Sequence, residues 1–328
     1  MSSEVGVVAI GRNEGERLVR CLRSLVGRVA RLVYVDSGST DGSVERAREL
    51  GAEVVALDMS RPFTAARARN EGFARLSELE PGLALVQFVD GDCEVVAGWI
   101  ERAQETLSER SDVAVVCGRR RERYPEASVY NRVIDVEWDT PVGESKACGG
   151  DAMMRASAFR EVSGFDASLI AGEEPELCVR LRAAGWKILR IDHEMTLHDA
   201  AITELSQWWK RAVRSGHAYA EGADKHGAPP ERHWVRETRR IVLWGAVIPA
   251  LALTIAPLSG GMSLALLAGY PVSAYRAYRA VRRRGIPMES AAAYAAFMTL
   301  AKAAEMQGAL QYWRNKARGR RSGLIEYK

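Results

Sequence analysis

Two aspartates separated by one glycine close an apolar run, ALVQFVDGDCEVV over 84–96. On an extended chain, residues two apart point to the same side, so Asp90 and Asp92 can converge, and Gly91 lets the backbone approach a ligand. Two hard oxygen donors on a flexible tip suit Mg2+ or Mn2+. Such an ion would bridge a diphosphate and neutralise its charge as it leaves. The plainer alternative is a turn with two solvated aspartates. Similar polar groups recur along the chain. VGVVAI is followed by GRNEG, with Asn13 and Glu14 poised after the apolar run. RLVYVD ends on Asp36 and leads through Ser37 into a polar turn and a helix start, where carboxylates and backbone amides can meet a nucleoside or an anion; an ordinary turn with a helix cap reads equally well. AARARNEG puts Arg67, Arg69 and Asn70 early in a helix, where cations oppose the macrodipole unless an anion sits nearby. GEEPEL puts Glu173 and Glu174 in a first helical turn, where acids can also serve simply to stabilise the helix.

These residues need a frame that brings strand ends together. Short apolar runs at 5–10, 31–36, 52–57, 84–90 and 113–118 read as buried strands. Helical stretches at 14–26, 42–50, 64–79 and 97–110 lie between them. This alternation predicts an α/β, Rossmann-like fold, a mostly parallel sheet with helices on both faces. Right-handed crossovers then put the strand C-termini on one edge. A helix over 174–184 and a strand over 186–191 follow, with Pro175 in the first turn and Gly185 at the stop. The arginines of 119–123 could touch phosphate, lipid or nothing, with a solvated loop as the default. A dinucleotide fold would require G-x-G-x-x-G after the first strand; Gly11 and Gly15 have the wrong spacing, which argues against an NAD enzyme.

The chain changes character near its last third, which predicts a catalytic domain over 1–222 and a helical region over 223–328. Residues 241–258 and 262–275 carry no charge, and arginines flank both outer ends: Arg236, Arg239 and Arg240 before, Arg276, Arg279 and Arg282 after. That pattern favours an apolar helical hairpin over 241–275 with both ends cytoplasmic. A buried helix pair, joining copies of the chain in a homo-oligomer, is the alternative. An Ala-rich, basic, amphipathic helix over 288–317 could lie on anionic lipid. Of 328 residues, 47% are hydrophobic and 27% charged, ample for one large core. The formal net charge of +4 says little about partners, and no nucleic-acid partner is expected. Five scattered cysteines without a C-x-x-C pair suit reduced thiols in the cytosol, and the first residues lack the basic segment of a signal peptide.

AIGRNEGERL, VDSGSTDG, ARARNEG, FVDGDCE, GGDAMMR and GEEPEL occur in that order, each at a strand end or helix start. Together they resemble glycosyltransferase family 2, the inverting nucleotide-sugar transferases of GT-A fold, over about two-thirds of the chain. The resemblance implies donor contacts from Asn13, Glu14, Asp36, Ser37, Arg67, Arg69, Asn70, Asp90, Gly91, Gly150 and Asp151. It makes Asp90 and Asp92 a D-x-D element for Mg2+ or Mn2+, with Asp92 the direct ligand and His198 a third contact. CGGDAMMR over 148–155 becomes the loop that closes on donor sugar and acceptor. Glu174 becomes the catalytic base, with Glu173 beside it. SQWWKR is similar to the Gln-x-x-Arg-Trp element of an acceptor channel, giving Gln207, Trp208 and Arg211; its scrambled order argues against a processive polymerase.

Two features depart from the usual pattern. Ser37 stands where members often carry a second aspartate, and the Glu-Asp pair is Glu-Glu here. The implied protein is a membrane-associated transferase on the cytoplasmic face of the inner membrane, moving a sugar to a lipid-linked or surface-glycan acceptor. The competing readings are a catalytically silent nucleotide-sugar-binding scaffold and a nucleotidyltransferase. The intact acids oppose the first; the lack of a lysine and Gly-rich loop after the first strand opposes the second.

Overall fold

The computed structural model describes residues 5–320 and 322–326. Nine strands form one sheet: β1 (Val5–Gly11), β2 (Arg31–Asp36), β3 (Glu53–Ala56), β4 (Leu85–Asp90), β5 (Cys93–Val95), β6 (Val113–Glu122), β7 (Gly143–Glu144), β8 (Ala152–Arg155) and β9 (Lys187–His198). Their order is β3-β2-β1-β4-β8-β6-β9-β5, with β7 paired to β9. Valine-rich β1, β2 and β4 are buried almost throughout, as expected for strands covered on both faces. The expected parallel run is β3-β2-β1-β4. Beyond it the sheet is mixed. β8 enters antiparallel between β4 and β6, and β5 and β7 run antiparallel to β9.

The helices lying between these strands in chain order are α1 (Glu16–Arg23), α2 (Ser43–Glu49), α3 (Ala65–Leu79), α4 (Trp99–Glu109), α5 (Val129–Trp138), α6 (Ala156–Glu161) and α7 (Glu173–Ala183). Thr64 caps α3 by accepting the Arg67 amide. Gly172 takes the left-handed conformation just ahead of α7, at φ 79°.

Register levels the functional tips. Gly11 pairs with Asp36 across β1 and β2, and Ile10 with Asp90 across β1 and β4. On the other side, His198 pairs with both Cys93 and Glu122. The 119–123 arginines are no solvated loop, because β6 continues past Gly118 to Glu122 alongside β9. β9 likewise runs to His198 rather than stopping at 191.

The chain divides into two compact units, Met1–Arg123 with Trp138–Ala200, and Tyr124–Glu137 with Ala201–Lys328. A division at 222 would fall inside α8 (Leu205–His226). The second unit adds α9 (Val235–Val242), α10 (Ile248–Ile255), α11 (Gly269–Arg282) and α12 (Met288–Ala317). A π-turn over Leu243–Val247 joins α9 to α10, and a 3-10 segment over Met262–Ala268 leads into α11. Helices α8 and α12 cross so closely that a Cβ on Gly308 would lie 1.9 Å from the Val213 carbonyl oxygen, and one on Gly216 1.9 Å from that of Glu305. Backbone cannot yield as a side-chain tip can. Gly308→Ala should therefore force the helices apart and destabilise the second unit by about 1–3 kcal/mol, read as a lowered thermal midpoint. An unchanged midpoint would contradict this account of the crossing.

Candidate active site

The β4 tip is built around two guanidinium groups. Arg69, 3% exposed, reaches from α3 to the Asp90 carboxylate through Nη2 and to Glu173 on α7 through Nη1, both at 2.7 Å. Arg120, from the β6 extension, pairs with Asp151 at 2.8 Å and lies 3.6 Å from Asp90. Asp151 is fully buried; one oxygen accepts the Asp90 amide at 3.0 Å and the other the Thr196 hydroxyl at 2.8 Å. Aromatic rings back both cations, Phe165 against Arg69 and Trp138 against Arg120. Gly150 makes this packing possible. A Cβ there would sit 2.8 Å from Arg69 Nη2 and 3.1 Å from an Asp90 oxygen. Burial alone would raise the Asp90 pKa, but Arg69 and Arg120 outweigh it and hold the carboxyl below its usual range.

The next carboxylate faces elsewhere. Asp92 lies 3.2 Å from His198 Nε2, and both side chains are buried. His198 Nδ1 has no hydrogen-bond partner and stands 3.9 Å from Glu122, while Trp138 packs edge-on against the imidazole. The two aspartates thus divide their work: Asp90 faces guanidinium groups and Asp92 an imidazole. A divalent cation fits this site chemically. Four carboxylates (Asp90, Asp92, Asp151, Glu173) surround only two guanidinium groups, so negative charge is in excess. A carboxylate with an imidazole is a donor set of the kind that takes Mn2+, and oxygen donors suit Mg2+.

At the β1–β2 tips, most polar atoms fasten the turn itself. Asp36 accepts the Tyr34 hydroxyl at 3.0 Å and the Gly38 and Ser39 amides at 2.9 Å. Asn13, left-handed at φ 55°, accepts the Thr40 amide at 2.8 Å and donates its own amide to Ser39. Glu14 is ion-paired with Arg17 at 2.9 Å. Ser37 is fully buried and its hydroxyl has no hydrogen-bond partner. Gly91 donates to the Ile10 carbonyl at 2.8 Å, which folds the D-x-D tip back over β1.

Several expected site residues do structural work instead. Arg67 turns away to Glu71 and to the Asp58 and Arg61 carbonyls. Asn70 makes paired hydrogen bonds to the Phe165 backbone, at 2.7 and 2.9 Å, and so anchors that loop. In the second unit, Gln207 completes a capping box with Glu204 at the start of α8. Trp208 is 1% exposed and packs on Phe297, and Arg211 pairs with Glu137 at 2.9 Å. All three sit in the first two turns of α8, where capping and core packing take up their side chains. Glu173 and Glu174 are adjacent but differ in partners. Glu173 is held by Arg69, whereas Glu174 accepts the Cys148 amide and the Cys178 thiol, the latter at 3.1 Å. Sequence reasoning missed Arg120, Trp138 and Glu122. The available signal was the alternation in RRRE after Gly118, which points Arg120 and Glu122 to the same side of a continuing strand.

A mixed nine-stranded sheet with acidic strand tips gathered around arginine is a GT-A glycosyltransferase domain. Residues 7–162, just under half of the chain, match the model of "Glycosyl transferase family 2". It is 27% identical over 274 residues to the succinoglycan biosynthesis protein ExoA of Rhizobium meliloti (strain 1021), covering 76% of this chain and 82% of that one. It is also 27% identical over 305 residues to a pre-mycofactocin glycosyltransferase of Mycobacterium tuberculosis, covering 85% of this chain but 57% of the relative's length. Among solved structures, a mannosyltransferase of Pyrobaculum calidifontis in complex with GDP-Man and Mn2+ shares the fold at a TM-score of 0.60. Identity there is 18%, over 93% of this chain and 87% of that one. The protein is a glycosyltransferase that uses a nucleotide-sugar donor.

Arg120→Met would leave Asp151 buried opposite no charge, at a cost of about 3–5 kcal/mol. The variant should melt lower at neutral pH. The Asp90 carboxyl, held low by Arg69 and Arg120, contributes stability that is full above its unfolded pKa of about 3.9 and lost as pH falls through the folded value. Removing Arg120 should therefore also flatten the dependence of the melting temperature on pH between about 5 and 3. An unaltered pH profile would show that Arg120 does not set the charge of this cluster.

Proposed function

We propose that the chain is an inverting, metal-dependent glycosyltransferase that works at the cytoplasmic face of a membrane and delivers its sugar to a lipid-linked or surface-glycan hydroxyl. The pairing of Asp92 with His198, set beside the Arg69-centred cluster, carries this reading. Asp92 and His198 would hold Mg2+ or Mn2+, and a bound ion supplies positive charge against the donor diphosphate. The Mn2+ named with the Pyrobaculum mannosyltransferase supports that choice, and the succinoglycan role of the Rhizobium relative supports a surface-glycan acceptor.

The protein's own groups do the rest. Glu174 takes the proton from the acceptor hydroxyl, because Glu173 is tied to Arg69 while Glu174 meets only uncharged donors. The acceptor oxygen bonds to the anomeric carbon, the carbon–phosphate oxygen bond breaks, and the nucleoside diphosphate leaves with the electron pair. A single displacement inverts the anomeric centre. Asp90 and Arg69 fix the strand tip, and Gly150 lets its loop pack closely against them. Asn13, Asp36 and Ser37 frame the nucleoside end of the cleft. Of these, the Ser37 hydroxyl is the group with a hydrogen bond still to make.

The membrane reading rests on the second unit. Val235–Ile255 is a helix long and apolar enough to cross a bilayer, with mean hydropathy 1.4 and only 11% of its apolar window buried. Leu251, Leu253, Leu258, Met262 and Val272 are all exposed, an apolar surface larger than a soluble monomer usually tolerates. The uncharged part of the first arm, 241–255, is about 22 Å long at 1.5 Å per residue, short of a core of about 30 Å. With arginines at the base of both arms, the geometry favours a hairpin dipping in from one side over a full crossing.

Two measurements test these assignments. With Mn2+ and a panel of nucleotide sugars, wild-type protein should turn over at least one donor, and Glu174→Gln should lower kcat by about a hundred- to ten-thousand-fold. Full activity in Glu174→Gln would remove it as the base. In co-sedimentation with phosphatidylglycerol vesicles, the full chain should pellet, and Leu251→Arg with Leu258→Arg should release most of it. Equal pelleting of the variant would sink the hairpin reading.

A further inference from the structure

A second cluster of ligating atoms joins Glu174 to two cysteines that play no part in the transfer chemistry. Cys178 stands one helical turn after Glu174 on α7, so the two side chains share a face. Cys148 joins them from the loop before β8. Its Sγ lies 3.7 Å from Cys178 Sγ, and Cys178 Sγ lies 3.1 Å from Glu174 Oε1. The three ligand atoms all fall within 4.8 Å of one another. The backbone already favours this arrangement, since the Cys148 amide donates to the same Glu174 oxygen.

We propose that Cys148, Cys178 and Glu174 form a binding site for a thiophilic divalent cation of the Zn2+ class, separate from the oxygen-and-imidazole site of Asp92 and His198. Tetrahedral zinc holds sulfur at about 2.3 Å, which sets two thiolates about 3.8 Å apart. The observed sulfur separation of 3.7 Å matches that edge without movement of either backbone segment. A glutamate oxygen supplies the third ligand, and water or the acceptor hydroxyl the fourth. Cys178 is buried, but Cys148 is only partly so, which opens an entry path along the 145–149 loop. On ligation both thiols release their protons to solvent, and no oxidant is needed. Donor softness separates the two sites: thiolates select zinc-like ions, while Asp92 and its neighbours suit Mg2+ or Mn2+. Occupation would engage the Glu174 carboxylate and so inhibit transfer. That consequence, unlike the binding itself, rests on reading Glu174 as the base.

The test therefore separates the two. Phosphine-reduced full-length protein is titrated with Co2+, whose ligation by thiolate gives a near-ultraviolet charge-transfer band. The band should appear in wild type, persist in Asp92→Asn and Cys93→Ser, and vanish in Cys148→Ser and Cys178→Ser. No band in wild type, or a band that survives both cysteine substitutions, overturns the site. In parallel, Zn2+ should inhibit sugar transfer in the presence of excess Mg2+, with the inhibition constant raised at least tenfold by Cys148→Ser. A cobalt band with the expected pattern but no Zn2+ inhibition would keep the metal site and discard Glu174 as the group it blocks.

Discussion

The catalytic unit depends on one buried guanidinium. Arg69 connects α3, the tip of β4 and the first turn of α7, three segments that are distant in sequence and share no backbone hydrogen bonds at this point. A buried ion pair is weak evidence for stability, because desolvation offsets much of its attraction. Its value here is geometric. Arg69 reaches Asp90 and Glu173 through different nitrogens, each at 2.7 Å, so the planar fork fixes the distance between the two carboxylates. A lysine would supply the charge without fixing that spacing. The placement also accounts for the early helix position that opposes the macrodipole. The two carboxylates more than compensate for the unfavourable dipole, so what looks like frustration in the sequence of α3 is resolved by tertiary contacts.

The same constraint distributes roles among acids that the sequence presents as near-equivalent pairs. Asp90 and Asp92 are two residues apart, and Glu173 and Glu174 are neighbours. In each pair, the member that meets arginine becomes part of the framework, and the other keeps a partner that can exchange protons or ligands. Asp92 meets the imidazole of His198; Glu174 meets a backbone amide and a thiol. Arginine thus acts as the sorting element, and the extension of β6 that brings in Arg120 completes the sorting at Asp151.

How much of this could be read in the sequence followed from how local each signal was. The strands β1, β2 and β4 declare themselves by short, mostly apolar runs rich in valine, and the tips Asp36, Asp90 and Asp92 end or follow those runs visibly. Asp92 with His198 was also legible, although 106 positions separate them, because each sits in a motif of its own. The β6 extension was not. RRRE has the charge of a surface loop, and only pairing with β9 and the buried acids around Arg120 make it a strand. The antiparallel entry of β8 was hidden for a related reason, since strand direction depends on the path of a loop whose residues carry no periodicity. Gln207, Trp208 and Arg211 show the reverse ambiguity. A motif of glutamine, tryptophan and arginine is also what a well-capped, well-packed helix start contains, and α8 uses all three that way.

The second unit poses a physical problem that its own composition answers. Its helices cross tightly at Gly216 and Gly308, yet its most apolar segment leaves leucines outward, with Leu258 88% exposed. Close packing at one end and exposed leucine at the other cannot both be optimal in water, because each buried side chain of this size is worth about 1.5–3 kcal/mol. They become compatible if the solvent changes along the length of the unit. On the proposed membrane reading, arginines would mark that level, at Arg239 and Arg240 on one arm and Arg276 and Arg279 on the other, since long cationic side chains settle where hydrocarbon gives way to phosphate and water. The 3-10 segment over Met262–Ala268 fits this picture as well. Its rise of about 2.0 Å per residue lengthens the return arm, so that an uncharged stretch of 14 residues, 262–275, keeps pace with the 15 residues of 241–255 before its first arginine. The two arms therefore reach their cationic collars at similar depth despite different backbone geometries, as a hairpin entering from a single face requires.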